Sequence, residues 1–233
     1  MARLARIVIP HVPHHVTQRG NRRLPIFFSD EDRAEYLRLL AAACAATGTR
    51  CLAWCLMDNH VHLILVPTAA DGLRATLAEA HRRYTRAINF REGWRGYLFQ
   101  GRFASYPMDG AHLIAAARYV ENNPVAARMV GKAEDWRWSS ARSHVAGKRA
   151  AGDPLTDVAA LGKHARNWRA MLRHGAELGD AGDEAERLAD AIEARLRTGR
   201  PLGAEDWIAR QQELLGRALV PQKRGPKPKE KAN

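Results

Sequence analysis

The chain of 233 residues is 46% hydrophobic, enough to bury a core in one or two domains, which excludes a wholly disordered polymer. Its 37 Lys and Arg against 25 Asp and Glu leave a formal charge of +12, so the expected partner is a polyanion, nucleic acid ahead of an anionic membrane. No apolar run approaches the about 18 residues of a spanning helix, and MARLARIVIPHVP is too short in its apolar part for a signal peptide; the expectation is no membrane partner and a cytoplasmic, nucleoid-associated location.

The first strand expected is His14–Arg19, running into the turn signal Gly20-Asn21 and the basic pair Arg22 and Arg23. A helix follows, with Asp30 as its N-cap, Ala34, Leu37, Leu40, Ala41 and Cys44 at helical spacing, and Thr47-Gly48 as its stop. The period then changes to two. Residues 50–57 and 60–66 read as an antiparallel hairpin joined by Asp58-Asn59. Within it, alternation along CLAWC puts Cys51 and Cys55 on one face; with Cys44 these are three local cysteines, which suits free thiols and neither a disulfide framework nor zinc. A basic amphipathic helix is expected over 72–89, a break over 93–96, a strand over 97–106, and a third helix capped by Asp109 and carrying Leu113, Ala117 and Val120. Strand, helix, strand, strand, helix, strand, helix is an α+β order whose simplest packing is one antiparallel sheet with helices on one face, leaving the other open for a substrate. Beyond about residue 150 the composition shifts to Ala, Glu, Gly and Arg, with helices expected near 157–174, 183–198 and 204–217. The division expected is therefore 1–150 for the α+β part, 151–220 for an accessory helical region, and 221–233 for a basic tail without structure.

Chemistry concentrates in two places. In NHVHLILV, alternation sets His60 and His62 on one face and Val61, Leu63 and Leu65 on the other, a geometry in which two imidazoles can converge on one cation. A His-x-His strand is also compatible with an ordinary solvent-facing pair. In ARYVENNPVAARMV, Tyr119 and Asn123 stand four apart and share a helix face, although Pro124 equally suits Asn123 as the N-cap of a new short helix. Tyr119 competes with Tyr36 and Tyr84, which fall in apolar helix stripes, and with Tyr97 and Tyr106, which bracket a strand and have no amide four residues on.

The segments HVTQRGNRRLPIF, LMDNHVHLILV, FQGRFASYPMD, ARYVENNPVAARMV and WRWSSARSH, with the ending TGRPLGAEDWIARQQELLGRALVPQKRGPKP, resemble in order and spacing the REP-associated tyrosine transposases, HUH-class single-strand transposases related to those of insertion sequences. The resemblance implies a ferredoxin-like domain in which His60, His62 and Asn123 hold Mg²⁺ or Mn²⁺ and Tyr119 is the nucleophile. It also implies cleavage and rejoining of single-stranded DNA beside palindromic hairpins through a 5′-phosphotyrosine, with no need of ATP, in keeping with the lack of a GxxxxGK[ST] loop. Asp58 stands where many relatives have Pro. DNA contacts are expected from Arg19, Arg22, Arg23, Arg82, Arg83, Arg86 and Arg102, with added attraction from residues 223–231. The competing reading is a catalytically idle regulator that binds DNA or RNA hairpins; a zinc hydrolase is a third, without an HExxH motif to support it. A single chain is the expected working unit, with a dimer that exchanges the tyrosine helix as the alternative.

Overall fold

The computed structural model describes residues 5–162, 164, 167–173 and 181–221, and of 181–188 the backbone only. Four strands, β1 (His14–Arg19), β2 (Arg50–Leu56), β3 (His60–Val66) and β4 (Ala104–Pro107), form an antiparallel sheet in the order β2-β3-β1-β4. Helices α1 (Asp30–Thr47) and α2 (Gly72–Glu92) connect them in the ferredoxin-like manner, and α3 (Gly110–Ala126) follows β4. After α4 (Ala141–Ala146) come α5 (Val158–Gly162), α6 (Trp168–Arg173), α7 (Ala181–Thr198) and α8 (Glu205–Leu215). Residues 222–233, where a basic tail is expected, lie outside the described residues.

The α+β class and the antiparallel sheet agree with the sequence pattern, but the helices occupy both faces. Val16, Val61, Leu63 and Leu65 share a core with Tyr36, Leu40, Leu77 and Tyr84 of α1 and α2. Ile64 and Val66 point the other way and pack with Tyr106, Leu113, Ala117 and Val120 under α3. The reason is in β3, where only His60 and His62 interrupt apolar side chains on the second face; the rest of that face needs a cover. Trp168 and Leu172 of α6, Ile192 of α7 and Leu202 join the same cluster, so residues beyond 150 share the core of those before it.

Local departures have physical causes. Ser29, not Asp30, caps α1, its hydroxyl accepting from the Asp32 amide at 3.3 Å. A register shift between Cys51 and Ala53 turns Cys51 toward α1 and α2 and Cys55 toward α3, so the two thiols lie on opposite faces; both are buried and free. The expected strand over 97–106 is regular only from Ala104, with Phe99 meeting Gly20 in an isolated bridge. The WRWSS segment lies along the free edge of β2, where Leu56 donates to the Trp138 carbonyl at 2.8 Å and Ser140 to that of Trp54 at 2.9 Å, which closes the edge to foreign strands.

Candidate active site

Register places three imidazoles together. Thr17 pairs with His62, Arg19 with His60, and His15 with Tyr106, so on the α3 face of the sheet His15 lies diagonal to His62 and directly opposite Tyr106. The His15 Nε2 and His62 Nδ1 atoms are 2.9 Å apart, and His15 Nδ1 is 3.2 Å from the Tyr106 hydroxyl. His60 Nδ1 meets Asn59 Oδ1 at 2.6 Å. An amide oxygen can only accept, so His60 carries its proton on Nδ1 and keeps a lone pair on Nε2. For His62 to present Nε2 likewise, Nδ1–H donates to His15 Nε2, and His15 then donates from Nδ1 to Tyr106.

Burial keeps these rings neutral. It lowers the His15 pKa to about 3, and with the neighbouring Arg19 charge it lowers that of His60 to about 4. His62 falls well below the ordinary value through burial first, then through its interactions with the neighbouring His15 and His60 rings and the Arg19 charge.

Tyr119 reaches this cluster from α3 within one chain. Its ring centroid is 5.7 Å from that of His62 and 5.9 Å from that of His15, edge-on to both. The helix is held in that rotation from behind. Two residues on, the fully buried Glu121 carboxylate accepts from Ser140 Oγ at 2.5 Å and Trp168 Nε1 at 2.7 Å and meets His144 Nδ1 at 2.5 Å, directing 119 and 123 back toward the sheet. Burial raises the Tyr119 pKa and the Glu193 carboxylate adds to the rise, while Arg19 opposes it.

Asn123 lies inside α3 rather than at the start of a new helix. The helix runs through Pro124 to Ala126, because a proline one turn from the C-terminus forfeits a single backbone bond, and the Asn123 carbonyl still accepts from Ala127 at 2.9 Å. The side-chain Nδ2 donates to the Tyr119 carbonyl at 2.8 Å, leaving Oδ1 as the free acceptor. Two adjoining cavities, of about 910 and 330 Å³, share His60, Tyr119, Asn123 and Glu193; the smaller also takes in Thr17, Arg19, His62 and Arg197.

Of the residues singled out in the sequence, His60, His62, Tyr119, Asn123 and Arg19 therefore meet at one cleft. Arg22 and Arg23 are exposed just past β1, both with left-handed backbone (φ 54° and 63°), a costly conformation for a side-chain-bearing residue. Arg82, Arg83 and Arg86 are on α2, which covers the opposite face of the sheet, and Arg102 lines, with Arg6, a further small cavity that shares Leu196 and Arg197 with the cleft. Missed were His15 and the α7 pair Glu193 and Arg197. Alternation along HHVTQR already aligns His15, Thr17 and Arg19 on one face; nothing local announces that α7 returns to the cleft.

Among the described residues no three His, Cys, Asp or Glu side chains converge as a metal-binding group. The groups lining the cleft include the His60 and His62 imidazoles, the Asn123 amide and the Glu193 carboxylate, an N/O set that suits a divalent cation retaining water and substrate oxygens.

A ferredoxin-like sheet that presents paired imidazoles to a helix-borne tyrosine defines the class: an α+β protein with a histidine–tyrosine cleft. Residues 9–123 match the model of the family described as "Transposase IS200 like", a segment that opens before His15 and closes on Asn123; the chain belongs to the IS200-like transposases. Its fold is that of a solved REP-associated tyrosine transposase bound to a REP hairpin (TM-score 0.55, 21% identity, covering 68% of this chain and 93% of that one). A candidate transposase from Deinococcus radiodurans R1 aligns over 52% of this chain and 97% of its own, at 20% identity and a TM-score of 0.37. No curated protein matches the chain. No helix among the described residues is long and apolar enough to cross a membrane.

Proposed function

We propose that this transposase-family protein is a single-strand DNA endonuclease and strand transferase that works beside REP-like hairpins, with Tyr119 as nucleophile and His60, His62 and Asn123 as the ligands of Mg²⁺ or Mn²⁺. The observation that carries the reading is the closeness of the Tyr119 and His62 rings, 5.7 Å between centroids in a single chain, beside the His60 Nε2 left free by its own hydrogen bond. The bound cation would polarise the scissile phosphodiester and offset the charge that develops on it.

The remaining work falls to side chains. Tyr119 Oη attacks phosphorus as its proton leaves; the new O–P bond replaces the bond to the 3′ oxygen, which departs and takes up a proton. One ester is exchanged for another, so the reverse attack by a 3′-hydroxyl rejoins DNA without ATP. Arg19, which favours the tyrosinate, is the cleft residue suited to hold the phosphate. His15 fixes the His62 ring, and Glu121 fixes the helix. In this reading residues 1–150 carry the chemistry, and residues 151–220 add a roof through Glu193, Leu196 and Arg197. The family membership and the likeness to the hairpin-bound structure support a hairpin substrate.

The test uses the full chain with a labelled hairpin carrying single-stranded flanks and Mn²⁺. A covalent protein–DNA adduct that survives denaturation is expected, lost with a chelator and in Tyr119→Phe. Hairpin binding without any adduct, unchanged in that variant, would establish the idle regulator instead.

A further inference from the structure

Phe90 and Tyr97 are the most exposed large hydrophobic side chains among the described residues, at 89% and 87%. They are not scattered. Both line one groove of about 800 Å³ between the C-terminal half of α2 and residues 93–101, together with Trp94, itself 48% exposed. Aromatic surface left in water at this density marks a binding site, since burying it elsewhere would have stabilised the fold.

The walls say which kind. Arg82, Arg86 and Arg95 line the groove, and no carboxylate does among the described residues. Arg82 is engaged by Glu79 at 2.9 Å, while Arg86 and Arg95 form no ion pair among the described residues. The floor is a stacked pair, His81 on Phe99 with centroids 4.3 Å apart. The rim is set in advance: Gly93 and Gly96 take left-handed backbone (φ 65° and 97°), Asn89 Nδ2 donates to the Gly96 carbonyl at 2.9 Å, and Trp94 rests edge-on against Phe28 at 5.5 Å. Flat π-faces alternating with guanidinium groups, with no carboxylate among the described lining residues, suit unpaired bases and the phosphates between them.

The groove is tied by backbone bonds to the strand end that carries Arg19. Its inner wall bonds to the end of β1, with Gln100 donating to the Arg19 carbonyl and Asn21 to that of Leu98, each at 2.8 Å. The Arg19 side chain lines the Tyr119 cavity, and Arg22 and Arg23 stand exposed beside the junction.

Resting on the proposed function, we infer that this groove holds the unpaired bases of the single-stranded DNA flank whose phosphate enters the Tyr119 cleft, with Phe90 and Tyr97 as stacking faces and Arg86 and Arg95 on the backbone.

The experiment measures binding of the full chain to a fluorescent DNA hairpin with a single-stranded flank, to the same hairpin with an abasic flank, and to the blunt hairpin. The double variant Phe90→Ala/Tyr97→Ala and the aromatic replacement Phe90→Trp/Tyr97→Trp are compared with wild type. Stacking of about 1–3 kcal/mol per base predicts a flank-dependent loss of about 5- to 150-fold per position in the alanine variant, rescue by tryptophan, and an abasic flank that gains wild type little. Equal affinity of wild type and a folded alanine variant for the flanked hairpin overturns the inference, as does an abasic flank bound as well as the native one. A sedimentation shift from dimer to monomer in the alanine variant, with DNA affinity intact, also overturns it and assigns the surface to self-association. The two readings fail separately: a platform-dependent flank with no Tyr119 adduct sinks only the chemistry, and an adduct with no platform effect sinks only this site.

Discussion

Replacing His15 by alanine removes the acceptor that faces His62 Nδ1 at 2.9 Å in a place where both rings are buried. A buried N–H left without a partner costs about 1–3 kcal/mol, and loss of a histidine's outer hydrogen bond lowers metal affinity by about 10- to 100-fold in comparable sites. His62 can escape the cost by moving its proton to Nε2, the nitrogen that the proposed ligand role needs free. The expected result for His15→Ala is therefore Mn²⁺ affinity reduced by about 10- to 100-fold, read by calorimetric titration of the full chain. His15→Gln, which restores an acceptor oxygen, should recover part of it. Tyr106→Phe removes only the more distant 3.2 Å partner and should weaken binding less than His15→Ala. Thermal unfolding of each variant separates lost packing from lost affinity. A folded His15→Ala protein that binds Mn²⁺ as tightly as wild type would refute the tautomer argument and leave His15 as a filler of the core.

Two further outcomes follow from the electrostatics of the cleft. Glu193 raises the Tyr119 pKa against Arg19, so Glu193→Gln should move the pH profile of the proposed adduct formation to lower pH; an unmoved profile means that α7 does not act on Tyr119. Acid stability has a definite sign. His14 and His60 are held at about 4 and His15 at about 3, against 6.5 for ordinary histidine, so the unfolded chain takes up protons first as pH falls. Stability is full above about 6.5 and declines from there toward about 3, each unit of depression contributing about 1.4 kcal/mol per histidine. A melting temperature that stays flat through that window would contradict the neutral burial of these rings.

Much of the fold was legible because its signals are local. The strand bounds of β1 and β3, the Gly48 stop of α1 and the Asp109 cap of α3 all follow from alternation or from a side chain that satisfies a backbone amide a few residues away. The faces of β2 were misread for a reason that sequence hides: a single bulge reverses the alternation, and Cys51 and Cys55 separate. Asn123 was ambiguous for a similar reason, since the cost of a proline in a last helical turn is small and packing around Val120 and Glu121 decides whether the helix continues.

Residue type and short spacing by themselves determined the chemistry on offer: two imidazoles two residues apart on a strand, a phenol and an amide one helical turn apart, and a surplus of positive charge. Only the tertiary structure decided that these meet, because α3 is rotated by Glu121 toward a sheet face it reaches across some sixty intervening residues of chain. The same holds for His15, Glu193 and the aromatic groove. Each depends on strand register or on the return of a distant helix, which are set by the global burial of apolar surface and leave no mark in neighbouring residues.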